Sequence, residues 1–332
     1  MKKFLIYVLL FLVIMLPAAA QSVNLTEFQA GFEGFATAFA NTLPFNALIG
    51  QNWADAFIGS FPHLGVGATV GATTIPFEAV KPVFDLFSIT LPPDLSFLMD
   101  LGVPVPAYTV DARLGIPFLP MDAGVKFGWL PEDIKTVLPA NLSLDYLLAG
   151  VDVRYCLLKS NVLLPDISIG AGYSYLRGSF GISGLLGTNP EIANVAGHTI
   201  SLTDPALNFN WETSVIDLKV QVSKNLLFVT PYIGAGASYG ISSAGGGLES
   251  DVLFDGTALT QADIDLINTV LGAEAPDLSS QGITVSSENS GWSARIFGGI
   301  GLNIVIVHLD VGVMFNLTSL AYGGAINLRV QL

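Results

Sequence analysis

The chain has 332 residues, 51% of them hydrophobic and only 12% charged, with 27 acidic residues against 13 basic ones. The charged share is well below the roughly 25% of ordinary soluble domains, and the acidic excess argues against nucleic acid or acidic membrane surfaces as partners. After residue 20 no run approaches the roughly 20 apolar residues that a membrane-crossing helix needs, which excludes a helix bundle and leaves apolarity spread in alternation.

Residues 1–20 read as a secretory signal peptide. Lys2 and Lys3 open it, an apolar core runs from Phe4 to Leu16, and Ala18, Ala19 and Ala20 form a small-residue cleavage site. A retained membrane anchor is the alternative, against which stand the short core and Pro17. No Cys follows the core, so lipid attachment there is not expected. Cys156 is the one cysteine, so no internal disulfide forms and it reads as a small filler among strand residues. His63, His198 and His308 are too scattered for a metal cluster, and no cofactor is implied.

Residues 21–60 do not alternate. Phe28, Phe32, Phe35 and Phe39 recur at spacings of four, three and four, which places four rings on one face of a helix. Thr26 is positioned to cap it and Pro44 to end it. A second short apolar helix follows with Leu48, Trp53, Phe57 and Phe61. The stretch carries Glu27, Glu33 and Asp55 but no Lys or Arg, which disfavours lying on a membrane surface and favours a plug inside a barrel.

From residue 61 the pattern changes. Leu64, Val66, Ala68 and Val70 alternate with Gly65, Gly67 and Thr69, the period of a strand with two different faces. Residues 77–106 are broken by Pro82, Pro92, Pro93, Pro104 and Pro106 and read as an oily capping loop. Alternating strands are then predicted at 108–117, 122–129, 144–159, 167–180, 207–222, 229–241, 294–306, 307–317 and 326–332. In the strand at 207–222, Leu207, Phe209 and Trp211 take the opposite phase to Ile216, Leu218 and Val220, which predicts a bulge near residues 213–215. Weaker strands are placed near 199–202, 252–254 and 283–286. Residues 181–206 and 242–291 read as long external loops, the second with eight acids and no base. Within it, Thr260 and Asp263 resemble a helix cap.

The expected fold is therefore all-β: an antiparallel transmembrane barrel of 10–14 strands over residues 61–332, in a bacterial outer membrane, with a short N-terminal helical plug. Ile326, Leu328, Val330 and Leu332 give the last strand a purely oily face, which suits lipid outside and the barrel-assembly machinery as a partner. Inward positions carry Asp111/Arg113, Asp152/Arg154, Asp217/Lys219, Arg295, Asp310 and Arg329. Acid and base two apart share a face, so they form either a rigidifying charge ladder or a selectivity ring for small solutes. No Ser accompanies a His–acid pair on one face, so an enzyme is not expected.

The mature start, Val23-Asn24-Leu25-Thr26-Glu27-Phe28, then Gly31, Gly34, Ala36 and Ala38, then Asn52-Trp53-Ala54 and Pro62, resembles the long-chain fatty-acid transporter (FadL-like) family. That resemblance implies an N-terminal hatch of short helices in a barrel of about fourteen strands. It also implies a hydrophobic ligand that enters from oily external loops and leaves through a gap in the wall. Phe28, Phe32, Phe35, Phe39 and Trp53 would then line a greasy path for a fatty-acid-like molecule, and Arg113 or Arg154 would hold its carboxylate. The alternatives are a general diffusion porin for small polar solutes, using the inward charges, and a structural or adhesive surface barrel working through its long acidic loop.

Overall fold

The computed structural model describes residues 25–59, 61–86, 92–136, 138–184, 191–195, 197–271 and 282–332. The leader assigned to residues 1–20, the cap at Thr26 and the side chain of Phe28 lie outside the described residues. Helix α1 (Leu25–Asn46) comes first, then strand β1 (Gly65–Ile75), α2 (Phe77–Leu86), α3 (Phe97–Leu101), β2 (Val103–Gly115) and β3 (Met121–Trp129). There follow α4 (Glu132–Lys135), β4 (Leu142–Leu158), β5 (Asp166–Ser183), β6 (Glu191–Val195), β7 (His198–Ser223) and β8 (Val229–Phe254). The chain ends with β9 (Thr257–Ala258), α5 (Gln261–Leu271), β10 (Gly282–Ile304), β11 (Val307–Asn316) and β12 (Tyr322–Gln331).

Strand β1 pairs with β2 on one side and with β12 on the other, and β7 pairs with β8, so the antiparallel sheet closes on itself. The ring runs β1-β2-β3-β4-β5-β7-β8-β10-β11-β12, ten strands and an even count, while β6 and β9 hang on the tips of β7 and β8. Closure leaves no sheet edge to satisfy in lipid. Outward residues such as Val125, Val151, Ile216, Leu218, Ile300 and Val311 are exposed and apolar, whereas their inward neighbours are buried. No described helix is long and apolar enough to cross a membrane; the strands do so. The molecule is a β-barrel of the bacterial outer membrane.

The wall is uneven. Strands β7 and β8 have 26 residues each and β10 has 23, but β3 has 9 and β11 and β12 have 10 each. A spanning strand needs about 9–11 residues, so roughly half of each tall strand stands clear of the bilayer on the long-loop side. The weak strands near 199–202, 252–254 and 283–286 are these extensions, and the expected loops at 181–206 and 242–291 are in large part continued sheet.

Four further expectations are corrected. Pro44 does not end α1, which runs to Asn46, and no second helix forms: residues 51–59 are irregular. Pro104 and Pro106 belong to β2, not to a loop. The β2–β3 ladder stops at Val110↔Phe127. Beyond it the backbone of Tyr108 turns to the Tyr146 hydroxyl, which accepts from its N–H at 3.3 Å and donates to its carbonyl at 3.2 Å. Pro104 and Pro106 aim their nitrogens the same way, where no strand needs a donor. Finally, β7 carries no bulge at residues 213–215. Its register against β5 is unbroken from Ala206 to Ser223, and the irregularity lies at Thr203/Ala206. Leu207, Phe209 and Val215 point inward with Asp217, because the lumen itself is apolar at that level.

Candidate functional site

The lumen has two storeys. In the upper one, α1 packs Phe32, Ala36, Phe39 and Leu43 against the inward faces of β4, β5, β7 and β8 through Leu148, Leu176, Phe209 and Leu248. Phe209 is the hub: the rings of Phe32, Phe35 and Phe39 lie 5.6, 5.0 and 5.1 Å from it. Phe32 and Phe39 are buried side chains of a packed plug and line no open path. Gly240 lets α1 approach the wall, since a Cβ there would sit 2.5 Å from Pro44 Cγ.

In the lower storey, residues 46–56 thread the bore and the wall holds them by their backbone. The Lys126 ammonium donates to the carbonyls of Ala47 (2.6 Å) and Ile49 (2.8 Å), and Lys219 donates to that of Gln51 (2.6 Å). Gln221 donates to the carbonyls of Trp53 and Ala54, and Arg154 to that of Asp55. The Ala54 N–H reaches Asp310 at 2.9 Å and the Ala56 N–H reaches Ser223 at 2.7 Å. An irregular segment has no ladder of its own, so buried polar groups must find side-chain partners, and here strand positions of one face supply them.

The inward charges pair across strands and not along them. Arg113 donates to Asp122 (2.7 Å) on β3 and to both oxygens of Asp152 (2.8 Å) on β4. Arg154 donates to Asp122 at 2.6 and 3.1 Å. Arg295 grips Asp217, and Arg329 grips Asp310. The expected partner of Arg113, Asp111, instead accepts from Trp53 Nε1 at 2.7 Å and from Thr69. Trp53 itself lies between the Arg113 and Arg329 guanidiniums, 5.2 and 4.6 Å from its ring. Arg113 and Arg154, assigned to a ligand carboxylate, therefore spend their donors on protein carboxylates and on the plug. Of the residues expected at a site, Phe32, Phe35 and Phe39 come together around Phe209, and Trp53 and Arg113 meet a storey below. Gly65 makes room for the indole, since a Cβ there would lie 2.4 Å from it.

A cavity of about 30 Å³ beside Gly50 and Asn52 holds little more than a water. A larger depression of about 590 Å³ lies at the wall of β4, β5, β7 and β8, bordered by outward Val153, Tyr155, Ile169, Leu218 and Val220. It is a feature of the lipid-facing side and not of the bore. His198 faces Asp255, with Nδ1 2.7 Å from Oδ2, and His308 faces Asn303 at 2.8 Å. Among the described residues no cluster suited to a metal ion is found.

A family model described as Lsa36-like matches residues 87–332, which takes in every strand from β2 onward. Comparison with curated proteins gives no match. Among solved structures, the chain is similar to the translocator domain of the autotransporter NalP from Neisseria meningitidis. The identity is 9%, with 91% of this chain and 99% of that one covered at a TM-score of 0.41. It is similar to the outer-membrane protease OmpT from Escherichia coli at 8% identity, covering 82% of this chain and 98% of that one, with a TM-score of 0.38. Likenesses this low carry no argument about activity. Neither the family model nor these two structures is a long-chain fatty-acid transporter.

Proposed function

The chain belongs to the Lsa36-like family, and we propose that it is a sealed outer-membrane barrel that works through its external face as a binding surface, not through its bore and not as an enzyme. The observation that carries this reading is the occupied lumen. A porin for polar solutes needs a wet channel, but here the charges that would line one are buried and matched with each other or with the plug backbone. What stands free is the tall wall of β7, β8 and β10 with the turn and helix α5 that follow β8, and the exposed acids Glu249, Asp251, Asp255 and Asp265 there suit a basic partner surface.

Planar-bilayer conductance tests the seal. The intact protein is expected to show no porin-type steps, and deletion of residues 21–60 to open it sharply; steady conductance from the intact chain would return the bore to function. For the face, the protein in nanodiscs is expected to bind a basic polypeptide such as polylysine, and to lose that binding when the four acids become amides. A native face indifferent to polylysine counts against the reading.

Passage of a hydrophobic molecule is the second reading, favoured by one observation. The wall lacks a ladder between β2 and β4 beyond Val110↔Phe127, where the Tyr146 hydroxyl bonded to the Tyr108 backbone and the two stacked rings, 5.1 Å apart, bridge it. An apolar upper storey beside a weak seam is the arrangement a lateral route requires. A near-stoichiometric fatty acid in lipid mass spectrometry of the purified protein, lost on Phe32→Asp and Phe35→Asp, would favour passage over the surface role.

A further inference from the structure

The turns at the short-loop end of the barrel carry side chains that water-facing turns avoid. Phe118, Val162, Leu163, Leu227 and Val305 stand at the tips of four turns with exposures of 104, 94, 89, 83 and 92%. Three of them hold a left-handed backbone: φ is 65° at Phe118, 65° at Leu227 and 58° at Val305. Asn or Gly takes that conformation with little strain, whereas an aromatic, branched or β-branched residue there is an outlier. Backbone strain accepted at three separate tips in order to present an oily side chain points to an apolar surrounding.

The turns are also fastened to one another. The Lys224 ammonium donates to the Leu164 carbonyl at 2.7 Å, the Asn303 N–H to Phe228 at 2.8 Å, and the Gln331 N–H to Ile306 at 2.9 Å. These bonds join three of the four turns and the end of β12 into one rim. Three facts say what covers it. The oily outward face runs into the tips without a polar collar, as in Leu302, Ile304 and Val305, all exposed. Of the Trp and Tyr side chains that mark a membrane–water boundary, Trp292 and Tyr239 stand 5.4 Å apart at the opposite edge and Tyr155 faces outward on this side, opposite Met121, whereas residues 116–120, 159–165, 224–228 and 303–307 contain none. The ionic groups the rim shows are basic: Lys159 is exposed and Lys224 partly so, while Asp166 is buried against the Ser160 N–H.

We propose that this rim is a lipid-anchoring crown, seated in an anionic phospholipid leaflet with its apolar tips among the acyl chains and Lys159 at the phosphates. The whole-chain acidity that argues against acidic membrane surfaces is a sum over two ends. Among the described residues the exposed acids lie at the long-loop end, those of the bore are enclosed and Asp166 is buried, so the exposed charge of the rim is basic and favours anionic headgroups there.

The test is a spin label at Leu227→Cys in a Cys156→Ser background, with the full chain in vesicles of phosphatidylethanolamine and phosphatidylglycerol. A label at lipid-facing Leu218→Cys gives the reference. The Leu227 label is expected to collide several-fold more often with oxygen than with a water-soluble nickel chelate, and less so when Lys159→Gln is added or phosphatidylglycerol is replaced by phosphatidylcholine. Dominant nickel collisions, the result for a rim left open to a soluble protein, would overturn the proposal. So would dipolar broadening between labels, the result for a second copy. A Phe118→Asn, Leu227→Asn, Val305→Asn variant adds a reading that a mere turn would not give. Asn relieves the left-handed backbone, so a purely structural turn holds or raises the urea midpoint in those vesicles, and a lipid-seated one lowers it.

Discussion

Asp122 shows what a single inward residue does in this barrel. It is fully buried and takes donors from Arg113 on β2 and from Arg154 on β4, so one carboxylate ties three strands. Burying a charge pair gives little net stability, but removing one partner strands the other and costs ~3–5 kcal/mol. Asp122→Asn is expected to lose about that much in urea unfolding followed by gel mobility. Asp85→Asn, which breaks the exposed pair with Lys81, is expected to change it by less than ~1 kcal/mol. Equal losses would mean that the buried network carries no special weight. Sequence alternation placed Arg113, Arg154 and Asp152 on the inner face correctly. It paired Arg113 with Asp111 wrongly, because a period of two gives the face of a strand and says nothing of the register with its neighbour.

At the scale of elements, the errors have a shared origin. The rule that alternation means lipid outside and polar inside holds for β11 and β12 and fails where a strand rises past the plug. Phe209 and Trp211 look outward by that rule, yet face α1, because there the apolar partner is the helix and not the bilayer. The Thr260–Asp263 cap was legible, since it is local: Asp263 accepts from both the Thr260 N–H and its hydroxyl at the start of α5. The external tip formed by the far ends of β7 and β8 is less so, because it joins residues 57 apart in sequence: Asp255 lies beside the His198 ring and accepts the Thr199 N–H at 2.8 Å. The His198 hydrogen bond, followed by that from Thr199, holds the Asp255 carboxyl below its ordinary value. A depressed aspartate favours the folded tip above its unfolded value and loses that contribution as pH falls through the folded one. Hydrogen-exchange protection at Thr199, corrected for the intrinsic rate, is thus expected to hold from neutrality to the usual aspartate range and to fall below it. In Asp255→Asn the protection should be lower at neutral pH and should lose this pH step. A native tip whose protection ignores pH would show that the contact does not fasten it.

For the whole molecule, the decisive feature is that plug and wall share one set of hydrogen bonds. The helix brings apolar area, but the segment after it brings bare carbonyls, and Lys126 on β3 and Lys219 on β7, with β4 and β5 between them, hold three of them. Sequence reading gave a plug because residues 21–60 neither alternate nor carry basic groups. It gave no seat for the plug, because those lysines, on β3 and β7, acquire a common task only when the ring closes. Replacing both with Met keeps side-chain volume while leaving the carbonyls of Ala47, Ile49 and Gln51 without these donors, a change worth ~1–3 kcal/mol per orphaned group. The ladder between strands is untouched, so the barrel is expected to stay folded while the plug loosens. In planar bilayers with urea raised stepwise, the Lys126→Met, Lys219→Met protein should show conductance openings at lower urea than the native chain. Each single variant should fall between, and heat-modified gel mobility should report an intact barrel at the urea concentration of first opening. If barrel and plug instead give way together in both proteins, the lower storey is part of one cooperative unit and the plug has no separate release. The surface reading then gains, because a bore that opens only on unfolding carries nothing.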